Sequence, residues 1–488
     1  MNRRDFLSKA GLVTGAFLGS MYLDGCTTQA VNDSEAGQRP NFIFIMTDDQ
    51  KYDAVGFSGA YPFLETPCID RLREDGIDFK NCFVTTALCS PSRACFLTGA
   101  YAHKNGVMIN ETCDPKESMP MLQEVLQESG YETAMIGKWH MAKSAQPRRG
   151  FDYWLSFEGQ GVYDDPILNE NGREIQVNGY ITDILTDYAI QFIKKDRDKP
   201  FCLFLWHKAV HSPFTPADCD KELYADERLP EPGNYKDNYS DKPQWVRRGA
   251  VYGLHKDKWA ASEGELVPDK VVPDNWDPKN KRKLDYLRAI SAVDKSIGRI
   301  DNTLKQEGLF DDTFMMFTSD NGYLLGEHHS VIDKRVMWEE SIRVPLLVRY
   351  PRIGKASKIV DEMILNLDFM PTALEIAGVK IPSTVQGQSF VPFLSGRDAA
   401  WRDSFFYEYF QEDYAPGIPT ITGVRTGRYK YIETPCVDGD IFELYDLELD
   451  PLEMNNLVSD SDKSLILKSL QGELSKLKKL YCYDVECL

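Results

Sequence analysis

Short, unbroken apolar runs alternate with helix-period segments along most of this chain. Asn41-Phe42-Ile43-Phe44-Ile45-Met46 has the pattern of a strand buried on both faces. Segments 79–86, 132–136, 200–206, 314–317 and 344–349 read as further strands. Between them, 66–76, 121–129 and 182–195 carry helical periodicity. In the last, Thr182 is placed as N-cap, with Asp183, Asp187 and Lys194 on the polar side. Residues 281–306 form the longest such segment, with Leu284, Leu287, Ile290, Val293, Ile297 and Ile300 at helical spacing. Strands alternating with helices predict an α/β fold: a large mixed, mainly parallel sheet sandwiched by helices. In such sheets ligands sit beyond the carboxyl ends of the strands.

The periodicity changes in two places. Residues 217–280 are rich in Asp, Lys, Pro and Trp and read as a long surface insertion. There Trp245, Arg247, Arg248 and Trp259 are candidates to stack on or grip a sugar. After about residue 382, short alternating segments at 404–409, 421–426 and 429–432 precede an amphipathic stretch over 465–480. These predict a smaller C-terminal subdomain of antiparallel sheet plus helix. The expected organisation is a leader over 1–38, a catalytic domain over 39–382 that carries the insertion, and the subdomain over 383–488.

Charge narrows the choice of partner. The 488 residues include 56 basic and 75 acidic ones, a net charge of −19. That excludes nucleic-acid binding through the general surface, and an anionic substrate needs a concentrated local positive site. The leader is a targeting segment. Asn2-Arg3-Arg4-Asp5-Phe6-Leu7 resembles a twin-arginine export motif, and the apolar run over 10–23 is too short and interrupted for a membrane span. Leu23-Asp24-Gly25-Cys26 resembles a bacterial lipobox, which makes Cys26 a lipidation candidate and a lipid anchor the expected route to a membrane. The expected location is therefore exported, as a periplasmic or outer-membrane lipoprotein of a bacterium. Eleven cysteines in an exported chain permit disulfides, and Cys482 with Cys487 is the expected pair. The odd total leaves one cysteine for another fate, at Cys26 or Cys89.

Candidate chemistry falls at the predicted strand ends. Asp48-Asp49 and Asp320-Asn321 offer carboxylates and an amide carbonyl, the oxygen set that suits calcium or magnesium. Lys138-Trp139-His140, His211 and Lys334 lie at or near further ends. The string Cys89-Ser90-Pro91-Ser92-Arg93-Ala94-Cys95-Phe96-Leu97-Thr98-Gly99 sets a cysteine before a proline turn, with Ser92 as the N-cap residue of a helix. Backbone N–H groups at such a helix start favour an anion. Cys89 is thus the nucleophile candidate, on a loop that runs into a helix.

That string resembles the signature of type I sulfatases, of the alkaline-phosphatase-like superfamily. Gly-Lys-Trp-His at 137–140, His-Ser-Pro at 211–213 and Ser-Asp-Asn-Gly at 319–322 follow in sulfatase order, as does Asp-Lys-x-x-Met-x-Glu-Glu-Ser-x-Arg-Val-Pro at 333–345. Ala100 departs from the arginine that often follows Leu-Thr-Gly there. The resemblance implies that a maturase oxidises Cys89 to formylglycine (3-oxoalanine), which becomes the nucleophile. It implies that Asp48, Asp49, Asp320 and Asn321 hold Ca2+, or Mg2+, together with an oxygen of the modified residue 89. By the same resemblance His211, helped by Lys334, is the general acid and His140 the base. Lys138 and Lys334 hold the sulfate, Arg93 steadies the hydrated residue 89, and His328 touches substrate. His103 and His207 are read as structural. The implied activity is hydrolysis of a sulfate monoester on a saccharide, with 6-O-sulfated hexosamine the first choice. Two alternatives stand beside it: a phosphonate monoester or phosphodiester hydrolase of the same superfamily, and a non-catalytic glycan-binding lipoprotein.

Overall fold

The computed structural model describes residues 39–485 apart from 253, 255–274, 355–356, 438 and 440. Cys26 with the rest of the leader, Trp259 and Cys487 lie outside the described residues. Eleven strands build the larger sheet. Strand β1 (Asn41–Thr47) lies between β7 (Phe201–Trp206) and β8 (Thr313–Ser319) and runs parallel to both, with Met46 opposite Trp206 and Thr47 opposite Ser319. Beyond β7, β3 (Glu132–Gly137) and β4 (Tyr153–Ser156) continue in parallel, and antiparallel β5 (Ile167–Glu170) and β6 (Arg173–Gln176) finish that side. Beyond β8, β10 (Leu346–Arg349) is antiparallel to both β8 and β2 (Ile77–Phe83), so β2 regains the direction of β8. Strand β11 (Lys358–Leu365) closes that edge, parallel to β2. The consequence for function is direct. Strands β1, β2, β3, β7 and β8 all end at one edge of the sheet.

The hydrophobic pattern explains the layers. Every residue of β1 is buried; Phe42, Phe44 and Met46 enter the core on one face, Ile43 and Ile45 the core on the other. Full burial of such a side chain contributes about 1.5–3 kcal/mol. The Lys281–Gln306 helix covers the second face through Leu284, Leu287, Ile290, Val293, Ile297 and Ile300, the residues its periodicity picks out. The core of the first face continues into the second sheet of β12 (Ser404–Tyr409), β13 (Ile421–Thr426), β14 (Tyr429–Glu433) and β15 (Glu443–Asp446), all antiparallel. Phe405, Val424, Leu444 and, from the Ser464–Leu480 helix, Leu474 belong to that same core.

Local differences from the sequence expectations have identifiable causes. The expected 344–349 strand is split into β9 (Arg343–Val344), paired with β2, and β10, because Pro345 has no N–H to give a ladder. Thr182 is not a cap. Its helix, Ile181–Ile193, starts one residue earlier behind Tyr180, and Thr182 is buried against the core. Cys482 is a free, exposed thiol, and its expected partner Cys487 lies outside the described residues; Tyr481 and Tyr483 on either side pack on the core. Cys436 is the disulfide-bonded cysteine among the described residues. No helix among the described residues is long and apolar enough to cross a membrane.

Candidate active site

The shared sheet edge gathers the chemistry-bearing residues. Backbone bonds stitch the strand ends together: Asp48 N–H to Ala209 O at 3.0 Å, Asp320 N–H to Thr47 O at 3.1 Å, and Lys138 N–H to Trp206 O at 2.8 Å. Gly137 is needed at the last of these. Its φ is 122°, and a Cβ there would lie 1.9 Å from Trp206 O, so only glycine lets Lys138 turn off the strand. Asp49 and His140 both hold left-handed backbone, φ 64° and 61°, a conformation that costs about 1–3 kcal/mol and clusters at functional sites.

Cys89 is placed differently from the sequence expectation. It is the first residue of the Cys89–Thr98 helix rather than a loop residue, behind extended Leu88 (φ −152°, ψ 138°). Ser92 therefore is not the cap; its N–H already bonds Leu88 O at 2.9 Å. Pro91 is tolerated because first-turn N–H groups have no intrahelical partner to lose. All ten residues of this helix are buried.

Around Cys89 Sγ, ligand atoms of Asp48, Asp49 and Asp320 lie within 4.8 Å of one another and of the sulfur. Asn321 Nδ2 donates to Asp49 Oδ1 at 2.7 Å, which leaves Asn321 Oδ1 buried without a partner. Arg93 spans Asp48 Oδ2 at 3.1 Å and Asp320 Oδ2 at 2.8 Å. Lys138 pairs with Asp48, and Lys334 pairs with Asp49 while lying 3.0 Å from Cys89 Sγ. His211 Nε2 stands 3.7 Å from Asp49 Oδ2. Burial pushes the Asp48 carboxyl up, but Lys138, His211 and Arg93 outweigh it and hold Asp48 ionised. Asp49 and Asp320 are pushed up by burial and by the neighbouring carboxylates. Burial and Asp48 raise the Cys89 thiol, so an unmodified cysteine here is a neutral thiol and a weak nucleophile.

The structure brings Asp48, Asp49, Cys89, Arg93, Lys138, His140, His211, Asp320, Asn321 and Lys334 to this edge, and it holds His328 and Trp245 in the interior. His328 is fully buried, bonded to Asp237 Oδ2 at 2.8 Å and stacked on Trp338, and it does not line the cleft. Trp245 is buried inside the Gln244–Tyr252 helix packing, so it offers no face to a sugar. The cleft-lining part of that helix is Gly249, Ala250 and Val251, without Arg247 or Arg248. His103 bonds Glu408 at 2.7 Å and His207 is buried, as structural residues.

Other site residues were not singled out by the sequence. Glu111 Oε1 lies 2.9 Å from His140 Nε2, which fixes the ring and leaves Nδ1 buried and unpartnered. Ser90 Oγ receives the Glu111 N–H at 3.2 Å, so the loop carrying Glu111 is tied to the nucleophile helix. Gln160 reaches Lys138, and Lys208 lines the cleft beside His211. The cleft above Cys89 encloses about 1290 Å³, larger than the roughly 300–1,000 Å³ of a site for one drug-sized molecule.

Comparison with known proteins decides the family. The family model described as Sulfatase matches residues 40–379, and one described as N-sulphoglucosamine sulphohydrolase, C-terminal, matches 326–480. An N-acetylglucosamine-6-O-sulfatase of Bacteroides thetaiotaomicron is 35% identical, over 92% of this chain and 88% of that protein. The chain belongs to the sulfatase family. It is a sulfuric ester hydrolase, which sets aside the non-catalytic alternative. A solved structure of a protein in complex with its substrate D-glucosamine-2-N,6-O-disulfate superposes with a TM-score of 0.80 at 33% identity, covering 92% of this sulfatase and 99% of that chain. The phosphonate monoester hydrolase of Agrobacterium radiobacter superposes with a TM-score of 0.70 at 22% identity, covering 91% and 96%, a likeness of fold. The sulfatase fold is the expected alkaline-phosphatase-like one.

Proposed function

We propose that this sulfatase hydrolyses a sulfate monoester on a saccharide, 6-O-sulfated hexosamine in particular, and that Cys89 acts as formylglycine. One observation carries the reading: Asp48, Asp49 and Asp320 surround Cys89 with carboxylate oxygens, and Asn321, bonded to Asp49, adds an amide whose oxygen has no partner. Such a set fits Ca2+, with Mg2+ second, and an oxygen on modified residue 89 would complete it. A bound dication would supply Lewis-acid polarisation at residue 89. Its two charges would leave the site net positive, because Arg93, Lys138 and Lys334 already balance the three carboxylates. That suits an anionic ester in a protein of net charge −19. Likeness to the Bacteroides N-acetylglucosamine-6-O-sulfatase supports the hexosamine.

In the proposed reaction, one hydroxyl of the hydrated aldehyde gives its proton to a neighbouring carboxylate and attacks sulfur as the bond from sulfur to the sugar oxygen breaks. His211 gives that oxygen its proton, while Lys138 and Lys334 hold the sulfate oxygens. His140, steadied by Glu111, then takes the proton of the second hydroxyl. The aldehyde re-forms as the carbon–oxygen bond to sulfate breaks, and water rehydrates it. Arg93 keeps residue 89 in place. Export through the leader, lipidation at Cys26 and oxidation of Cys89 by a maturase belong to the same proposal.

The test uses protein co-produced with a formylglycine-generating maturase. Mass spectrometry of the peptide spanning Cys89 is expected to show loss of the thiol. The protein should release sulfate from N-acetylglucosamine-6-O-sulfate faster than it cleaves a phosphonate monoester, with chelation abolishing activity and Ca2+ restoring it. An unmodified cysteine in active protein, or faster phosphonate cleavage, overturns the reading.

A further inference from the structure

The Lys281–Gln306 helix opens on Lys281-Arg282-Lys283, with no acidic residue in its first turn. A helix start carries partial positive charge and favours carboxylates, so three cations there oppose the dipole. Local rules broken without local compensation are expected at functional sites. The three are also treated differently. Lys281 pairs with Asp285 at 2.5 Å and stays out of the cleft. Arg282 and Lys283 line the cleft, and among the described residues neither has a carboxylate within 4 Å. Asn280, whose Oδ1 accepts the Lys283 N–H at 3.1 Å, anchors this turn against the same cleft.

A third cation faces the same space. Lys208 is 1% exposed, yet its Nζ has only a long bond to Ser212 O at 3.4 Å and the Tyr163 ring at 4.7 Å, with no carboxylate within 4 Å among the described residues. A buried ammonium carries three donors and is costly to leave without a counter-charge. Ser212 locates the group. His211 Nδ1 and Lys208 Nζ share the Ser212 carbonyl, and Arg282 donates to Ser212 Oγ at 3.1 Å. The cations thus begin one residue from the proposed acid, on the side of the departing sugar. The metal end of the site differs, since each of its cations already has a carboxylate.

We infer that Lys208, Arg282 and Lys283 form a second anion subsite beside His211, which takes a sulfate or carboxylate carried by the same saccharide as the scissile sulfate. This rests on the saccharide sulfatase reading and adds that the preferred substrate is at least doubly anionic.

The experiment compares matured wild-type protein with the Arg282→Gln/Lys283→Gln variant on three substrates. These are glucosamine-6-O-sulfate, glucosamine-2-N,6-O-disulfate, and a uronate-linked 6-O-sulfated glucosamine disaccharide. Wild type is expected to favour one or both doubly anionic substrates about tenfold or more in kcat/KM, and the choice between them tells sulfate from carboxylate. The variant should lose that preference through KM, with kcat and the singly sulfated substrate unchanged. Arg282→Lys/Lys283→Arg should retain it. Calorimetry with 2-N-sulfated glucosamine, which lacks the 6-O-sulfate, reads the subsite without turnover: tighter binding than plain glucosamine, lost in the Gln variant. Equal kcat/KM on all three substrates in wild type, or a preference that survives the Gln variant, overturns the inference. Absence of turnover on every sulfated sugar overturns the sulfatase reading instead, and the calorimetric comparison then decides the subsite.

Discussion

Two clusters of buried, paired charge in this protein have different chemistry. Around Cys89, three carboxylates meet Arg93, Lys138 and Lys334 at the sheet edge. Where the second sheet joins the first, Glu339 accepts from Arg425 at 3.1 and 3.2 Å and forms an ion pair with Lys430 at 3.0 Å. Lys430 also holds Glu453 at 2.7 Å, and Glu453 accepts the Glu339 N–H at 2.7 Å. These four junction groups close on one another away from any cleft. The Cys89 cluster opens onto about 1290 Å³ of space and keeps Asn321 Oδ1 and His140 Nδ1 unsatisfied. Buried charge alone does not mark a site. Buried charge that reaches a cleft, as at Asp49, His211 and Lys334, does.

The comparison breaks first, and hardest, at residue 89. Cys89→Ser keeps a hydroxyl that can attack sulfur but has no second hydroxyl to expel sulfate. Turnover is expected to fall by at least about 10³-fold, roughly 4 kcal/mol of barrier, with sulfated enzyme accumulating. The melting temperature should stay put, because the exchange is nearly isosteric within an otherwise unchanged helix. Repeated turnover by the serine variant would end the formylglycine assignment. At the junction the expectation reverses. Lys430→Met leaves Glu453 and part of Glu339 buried without a counter-charge, and removing one partner of a buried pair typically costs about 3–5 kcal/mol. Denaturant unfolding should show that loss while kcat of the folded fraction is unchanged. A fall in kcat with intact stability would show that the two clusters are coupled.

Most of the Cys89 cluster was legible in the sequence, and most of the cleft wall was not. Asp48, Asp320 and Lys138 each follow directly on a short apolar strand, so strand-end logic alone brings them together. Glu111 carries no such signal. It reaches His140 only because the loop after the nucleophile helix folds back on Ser90. His328 misled for the opposite reason: its string suits a site, but Asp237, from the aperiodic insertion, holds the ring in the interior. Trp245 shows the same limit, since an aromatic in a polar stretch reads alike whether it faces sugar or core until the helix around it is placed. Arg282 and Lys283 look like ordinary helix-surface cations by composition. Only the absence of nearby carboxylates distinguishes them.

The smallest expected effect sharpens the junction side. Glu340 is buried; its Oε1 accepts Asn234 Nδ2 at 3.0 Å and its Oε2 has no partner. Burial, with the like charges of Glu327 and Glu453, raises its pKa to about 8. The folded protein therefore binds a proton that the unfolded chain releases near its ordinary value of about 4.3. Stability attributable to this group is fully present below that value and is lost as pH rises toward 8. Glu340→Gln keeps an acceptor for Asn234 and cannot ionise. Its melting temperature should be close to wild type at pH 5 and exceed it progressively up to pH 8.5, by at most the equivalent of about 4 kcal/mol. A stability difference that does not change between pH 5 and 8.5 would mean that Glu340 is ionised at the junction. The junction would then hold an unmet charge, whereas the Cys89 cluster balances its three carboxylates with Arg93, Lys138 and Lys334, and closure of charge would no longer be what sets the junction apart.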